Sequence, residues 1–390
     1  MSHRARAFIA ATAVTVTLAA CTSGGGGDGG GESLVGEGTG DDCTIGSPVP
    51  VGAALSLTGG AGSYGEPQQM GLELAAEHLN AKGGVEYELT VEDDQTDPRQ
   101  GIAVFEQFTA EGGASVIIGP TLSNGGFQAQ PIAQEEGVPV LAISNTADGI
   151  TEQGDYIFRD SLTEAQVIPQ TVAAVKETYG AESAVVMYSN DDAFTEAGYV
   201  VFADALDAEG IEVSDTLEFS VSDTDFRALL TEAEAADADL LVVSGLIEAA
   251  IPLVTQAREL GIDVPIVGGN GFNNPQLMAD AGDAAEGVVV GAAWNSASDN
   301  PENTAFLADF EEKYGTPPDQ FAAQAYTGLM LIDTAVRSSC SGERDAIKDG
   351  LGTIDGVPTV LGELTINDAR DAEHEAVVQI VEDGTFTVLD

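Results

Sequence analysis

From Val49 onward, short runs rich in Val, Ile, Leu and Tyr alternate with longer segments whose apolar residues recur at helical spacing. The short runs are Val49–Leu57, Tyr87–Glu92, Ser115–Ile118, Val138–Ile143, Ala184–Tyr188, Ile211–Phe219, Leu240–Val243 and Val264–Val267. Between them the spacing predicts helices, as over Gln68–Asn80, which carries Met70, Leu72, Leu74, Ala75 and Leu79. Gln100–Glu111, Glu164–Thr178 and Phe226–Ala236 read the same way. A helix between two strands carries the chain back along the sheet, so that the strands pair in parallel. Parallel sheets need helices on both faces, and the fold class is therefore α/β with doubly wound parallel sheets. About 340 residues exceed what one such sheet ordinarily uses, and two are expected.

In open parallel sheets a ligand sits beyond the carboxyl ends of the strands. The segments there are Thr58–Tyr64, Asp93–Gln95, Gly119–Asn124, Ser144–Asp148, Ser189–Thr195 and Gly268–Asn270, rich in glycine, hydroxyls and amides. They carry no catalytic signature. No nucleophile elbow, dinucleotide fingerprint or phosphate-binding P-loop stands at a strand end. With only 3 His in the chain, His78, beside Glu77 on a predicted helix, reads as a solvated or packing group. Asp191-Asp192 lacks the spacing and the glycine of a calcium loop. These residues point away from an enzyme and call for no cofactor and no metal.

Charge narrows the partners. Sixty-five acidic residues against 13 basic ones give a formal net charge of −52. Nucleic-acid binding needs Lys and Arg to displace counterions, and a polybasic membrane surface needs them too. Both are excluded. The acids are spread along the whole chain, which reads as a solvated surface suited to saline surroundings, where salt screens self-repulsion.

The first twenty residues read as an export signal. Arg4 and Arg6 precede an apolar run to Ala20 that is too short to span a bilayer comfortably. Leu18-Ala19-Ala20-Cys21 resembles the lipobox of bacterial lipoproteins, in which Cys21 would carry the lipid. Residues 21–48 are Gly-rich and nearly free of apolar residues, which predicts a flexible tether with folded structure starting near Cys43. The expected location is the outer face of the cell membrane, lipid-anchored. Cys43 and Cys340 then remain as an even pair outside the cell, a disulfide candidate, with two buried thiols as the alternative.

From Val49 to the end, the strand-end segments resemble the type I periplasmic solute-binding proteins, specifically the leucine/isoleucine/valine-binding family that feeds ABC importers. The resemblance is carried by Leu57-Thr58-Gly59 with Tyr64-Gly65, Gly71-Leu72-Glu73-Leu74-Ala75 and Asp93-Asp94-Gln95-Thr96-Asp97-Pro98. Ile118-Gly119-Pro120, Val138-Pro139-Val140 and Tyr156-Ile157-Phe158-Arg159 follow in the same order. In the second half it rests on Gln256–Gly261 and Gly282–Val288.

The resemblance implies two α/β lobes of the Venus-flytrap kind, joined by three crossovers near Asp160-Ser161, Trp294 and His374. Lobe 1 would be 49–160 with 294–373, and lobe 2 would be 161–293 with 374–390. A small solute would bind in the cleft and be delivered to a membrane permease of an ABC importer, by a monomer. The alternative on the same fold is a ligand-sensing or regulatory lipoprotein. Residue by residue, Ser123 and Thr146 fall where the family holds a ligand carboxylate, and Tyr64 and Phe194 fall on the aromatic wall. Asn270 falls where branched-chain binders carry an acid for the ligand ammonium, and Asp148 where they carry a carboxylate-reading Thr. Asn270 cannot neutralise an ammonium, and a buried Asp148 would repel a carboxylate. Either Asp148 takes the ammonium, or the solute is an amide, a small cation or another polar molecule. A helix-capping role for Asp148 is the competing reading.

Overall fold

Val49–Leu55 (β1) is apolar at nearly every position, and the structure buries it between Tyr87–Asp93 (β2) and Val116–Ile118 (β3). The computed structural model describes residues 33–110 and 112–389; the export signal and Cys21 lie outside them. Val140–Ala142 (β4) and Ile157–Arg159 (β5) extend the first sheet to the order β2-β1-β3-β4-β5, all parallel. Its helices include Gly62–Lys82 (α1), Pro98–Thr109 (α2) and Ser123–Glu135 (α3). One face packs Leu72, Leu79 and Leu329, the other Phe105, Phe108 and Ile150. Both faces are dry, which is why β3 and β4 read as unbroken apolar runs while the edge strand β2 is only partly buried.

The second sheet runs β15-β14-β10-β9-β8-β6-β7. Its parallel strands are Ser183–Ser189 (β6), Glu212–Phe219 (β7), Leu240–Ser244 (β8), Ile266–Gly268 (β9) and Val289–Ala292 (β10). Glu164–Tyr179 (α4) precedes them, and Ala193–Ala208 (α5), Arg227–Ala235 (α6), Ile247–Glu259 (α7) and Gln276–Ala281 (α8) lie between them. The capping box of Thr163 and Gln166 starts α4, and the Asp192 side chain, accepting from the Thr195 N–H, starts α5. The chain then returns to the first sheet through Pro301–Tyr314 (α9), Gln320–Ser339 (α10) and Arg344–Leu351 (α11). A small antiparallel sheet of Val357–Thr359 (β11), Gly362–Ile366 (β12) and Ala372–Glu373 (β13) follows. Val377–Glu382 (β14) and Thr385–Val388 (β15) close the second sheet in antiparallel fashion. We call the body around the first sheet lobe 1 and that around the second lobe 2. The chain passes between them at 160–163, 293–300 and 374–376.

Residues 33–48 depart from the tether expectation. Val35 bridges Ser341, Glu37 bridges Thr44, and Cys43 and Ile45 are buried in the core of lobe 1. Cys43 is bridged to Cys340 across Cα atoms 5.3 Å apart, so the disulfide reading holds. A polar, glycine-rich composition predicts a mobile segment only when nothing holds it. Here the bridge and the backbone bonds Gly36 N–H to Cys340 O and Ile45 N–H to Gly84 O supply the enthalpy that composition lacks.

Candidate functional site

The strand ends of both sheets face one cavity, with about 460 Å³ of space unfilled by protein atoms, its mouth included. From lobe 1 it is lined by Tyr64, Ser123 and Thr146, and from lobe 2 by Phe194, Leu246 and Asn270. Five of the six residues expected to bind ligand thus come together. α1 begins at Gly62, earlier than its apolar spacing suggested, so Tyr64 rises from a helical first turn rather than a loop. That turn lies hard against the end of β1, where any side chain at Gly65 would overlap the Ser56 carbonyl.

Asp148 is the exception. It is exposed, does not line the cavity and caps no helix, so neither reading of it holds. The cause is Arg159, buried at the end of β5, which donates from Nη1 to the carbonyls of both Asn145 and Ala147, at 3.0 and 2.8 Å. Pinned there, Thr146 faces the cleft, and two residues later the chain reaches the surface at Asp148 before Ile150 returns to the core. The guanidinium is held in turn by Asp371 through Nε at 2.5 Å.

Several lining residues were not anticipated. Gln320, Phe321 and Gln324 come from the first turns of α10, far along the chain from the strand ends that surround them. Asp192 lines the cavity too, its carboxyl raised by burial. Just behind the lining stands Glu164, 2% exposed, the first residue of α4. Its Oε1 accepts from Asn270 Nδ2 at 3.1 Å and from Thr146 Oγ1 at 3.3 Å, while Oε2 is buried with no partner among the described residues. Burial pushes the carboxyl up to about 7 against the pull of those two bonds. The one signal available in the sequence was the capping box, which puts residue 164 at a helix start beside a crossover. Among the described residues no Lys, Arg or His lines the cavity.

The lobes also touch directly. Tyr64 Oη donates to Gly271 O at 2.8 Å and accepts from Ile247 N–H at 2.7 Å. The Asn124 side chain donates to Asp192 Oδ2 at 2.7 Å and accepts from Ala193 N–H at 2.9 Å. Within lobe 1, Phe321 packs edge-on against the Tyr64 ring at 4.7 Å and holds its hydroxyl toward lobe 2. The cleft is therefore in a closed form. Among the described residues no helix is long and apolar enough to cross a membrane.

Known proteins resemble this arrangement. The chain is 26% identical over 307 residues to the leucine-, isoleucine-, valine-, threonine- and alanine-binding protein of Pseudomonas aeruginosa, covering 78% of this chain and 82% of the relative. It is similar at 26% identity to the branched-chain amino acid transporter substrate-binding protein LivJ of Streptococcus pneumoniae, solved with isoleucine. There the TM-score is 0.81, with 87% of this chain and 98% of that one covered. A Rhodopseudomonas palustris ABC-transporter solute-binding protein, solved with benzoate, shares the fold at a TM-score of 0.80 and 24% identity, over 88% and 96% of the two chains. All three are binding proteins by name, and the latter two are transporter components. The periplasmic binding protein family model matches residues 48–385, and the chain belongs to that family.

Proposed function

We propose that this protein is the extracytoplasmic solute-binding lipoprotein of an ABC importer, anchored through Cys21, which captures an amino acid or a related small polar solute and delivers it to a membrane permease. The observation that carries the solute class is the bond from Asn270 to Glu164 behind a cavity wall with no cationic side chain. Asn270 alone cannot neutralise an ammonium. Backed by Glu164, its amide is polarised so that Oδ1, which otherwise receives only a long 3.4 Å contact from Gln320, becomes a strong acceptor. The buried negative charge lies one residue deeper than the acid of branched-chain binders, and the ammonium would meet it through the amide. The Ser123 hydroxyl stands across the cavity for the carboxylate. The P. aeruginosa and S. pneumoniae relatives, both binders of amino acids by name, support this reading.

A thermal-shift screen in high salt against aliphatic amino acids, their amides, amines and benzoates tests it. A ligand at about 100 times its Kd stabilises by about 2.7 kcal/mol. Stabilisation by amino acids or ammonium-bearing analogues is expected; stabilisation by benzoates alone would overturn the assignment.

A further inference from the structure

Closing the cleft takes carboxylates of lobe 2 out of water beneath lobe 1. Asp192 receives Asn124 in exchange, and Glu164 receives Thr146. Glu248, in the first turn of α7, receives nothing. Its Oε2 is buried without a hydrogen-bond partner among the described residues. The residue as a whole is half-buried, and its Oε1 sits 2.5 Å from where a Cβ on Gly60 would be, so that lobe 1 meets it with bare backbone.

The groups around Glu248 are spent or acidic. The Tyr64 phenol, nearby on α1, uses its proton on Gly271 O. Asp192, at the start of α5, has both oxygens engaged, by Thr195 N–H and Asn124. The covering loop 58–61 has no titratable side chain; behind it are Asp93, bonded to Leu57 and Thr58, and Asp94 and Asp97. The segments packed on α7 within lobe 2 carry Arg227, Glu232, Glu234, Asp280 and Asp283, and of all these groups only Asp192 acts on the Glu248 carboxyl. An ionised carboxylate buried with an unpaired oxygen beside a second acid is strongly disfavoured, and a neutral one much less so.

We propose that Glu248 is a positioning residue that controls lobe closure, and that it takes up a proton as it passes under Gly60, which links closure of the cleft to pH. The direction follows from the two states. With lobe 1 moved away the carboxyl would regain water and its ordinary 4.5, whereas burial and Asp192 push it up to about 7 in the closed form. Protons therefore favour the closed form. The closed-to-open ratio falls as pH rises between those two values, by at most about tenfold per pH unit for one proton, and is level above them.

The inference rests on closure, as the proposed function does, but not on which solute is bound. Small-angle X-ray scattering of the ligand-free protein, in constant high salt from about pH 5 to about pH 8, reads the closed fraction through the radius of gyration. The wild type is expected to expand across that range, and Glu248→Gln, a neutral isostere, to expand measurably less, the remainder coming from Glu164 and Asp192, with circular dichroism confirming that both remain folded. Scattering that is flat with pH in the wild type, or a Glu248→Gln variant that expands as the wild type does, would overturn the proposal. Either result leaves the solute screen untouched, and a silent screen leaves the scattering prediction intact.

Discussion

The Asn270 amide donates to the Glu164 carboxylate at 3.1 Å, joining the loop after β9 to the first residue of α4 beneath the cavity wall. Asn270 thus lines the cavity with a neutral amide, while the titratable group stands behind it, 106 residues earlier in the chain.

Replacing that charge separates the two roles. Glu164→Gln keeps the hydrogen bonds to Asn270 and Thr146 within reach of its amide but removes the negative charge, and affinity for an ammonium-bearing ligand is expected to fall at least about tenfold, roughly the worth of one charge-assisted hydrogen bond. Titration calorimetry with whichever amino acid scores in the screen measures it; equal affinity would remove Glu164 from the site.

The same residue makes stability depend on pH. Its folded-state value is raised from 4.5 to about 7, so its share of stability is full below about 4.5 and is lost as pH rises through about 7. The melting temperature of Glu164→Gln should therefore fall less than that of the wild type between about pH 5 and pH 8. Parallel curves would mean that Glu164 is charged and matched in both states.

Asp148 lies on the surface, outside the cavity. Asp148→Ala is expected to leave ligand affinity unchanged within error, and a loss above about threefold, or ~0.65 kcal/mol, would contradict the placement of the 145–150 turn.

Tyr64→Phe keeps the ring against Phe321 and removes the hydroxyl that joins lobe 1 to Gly271 and Ile247. Two backbone groups of lobe 2 then lose their partner in the closed form, at about 1–3 kcal/mol each if they stay buried. Ligand dissociation measured by stopped flow should quicken at least tenfold while thermal stability of the ligand-free protein changes little. An unaltered off-rate would mean that the hydroxyl is no latch.

The Cys43–Cys340 bridge closes a sequence separation of 297 residues and holds 33–48 on lobe 1. Cys43→Ser with Cys340→Ser should cost about 2–5 kcal/mol in denaturant unfolding and open residues 33–45 to hydrogen exchange. Retained protection there would assign the ordering to the backbone bonds alone.

Much of the architecture was readable in the chain. The alternation of apolar runs with helical spacing dictates parallel, doubly wound sheets, because the helix between two strands leaves the chain no other way to pair them. The strand-end segments hold Tyr64, Ser123, Thr146, Phe194 and Asn270 for the same reason: side chains just beyond parallel strands converge on one edge of the sheet. That logic is local, and it fails where a distant residue intervenes. Arg159 turns Asp148 out of the cleft by holding carbonyls 12 and 14 residues away. Cys340 orders a segment whose composition predicts none. Glu164 reaches Asn270 only because strands far apart in the chain share one sheet, and Glu248 meets Gly60 only because two lobes are brought face to face. Charge placement and closure depend on contacts between segments a hundred or more residues apart, and periodicity, which records each segment's own burial, carries no information about which buried face will meet which.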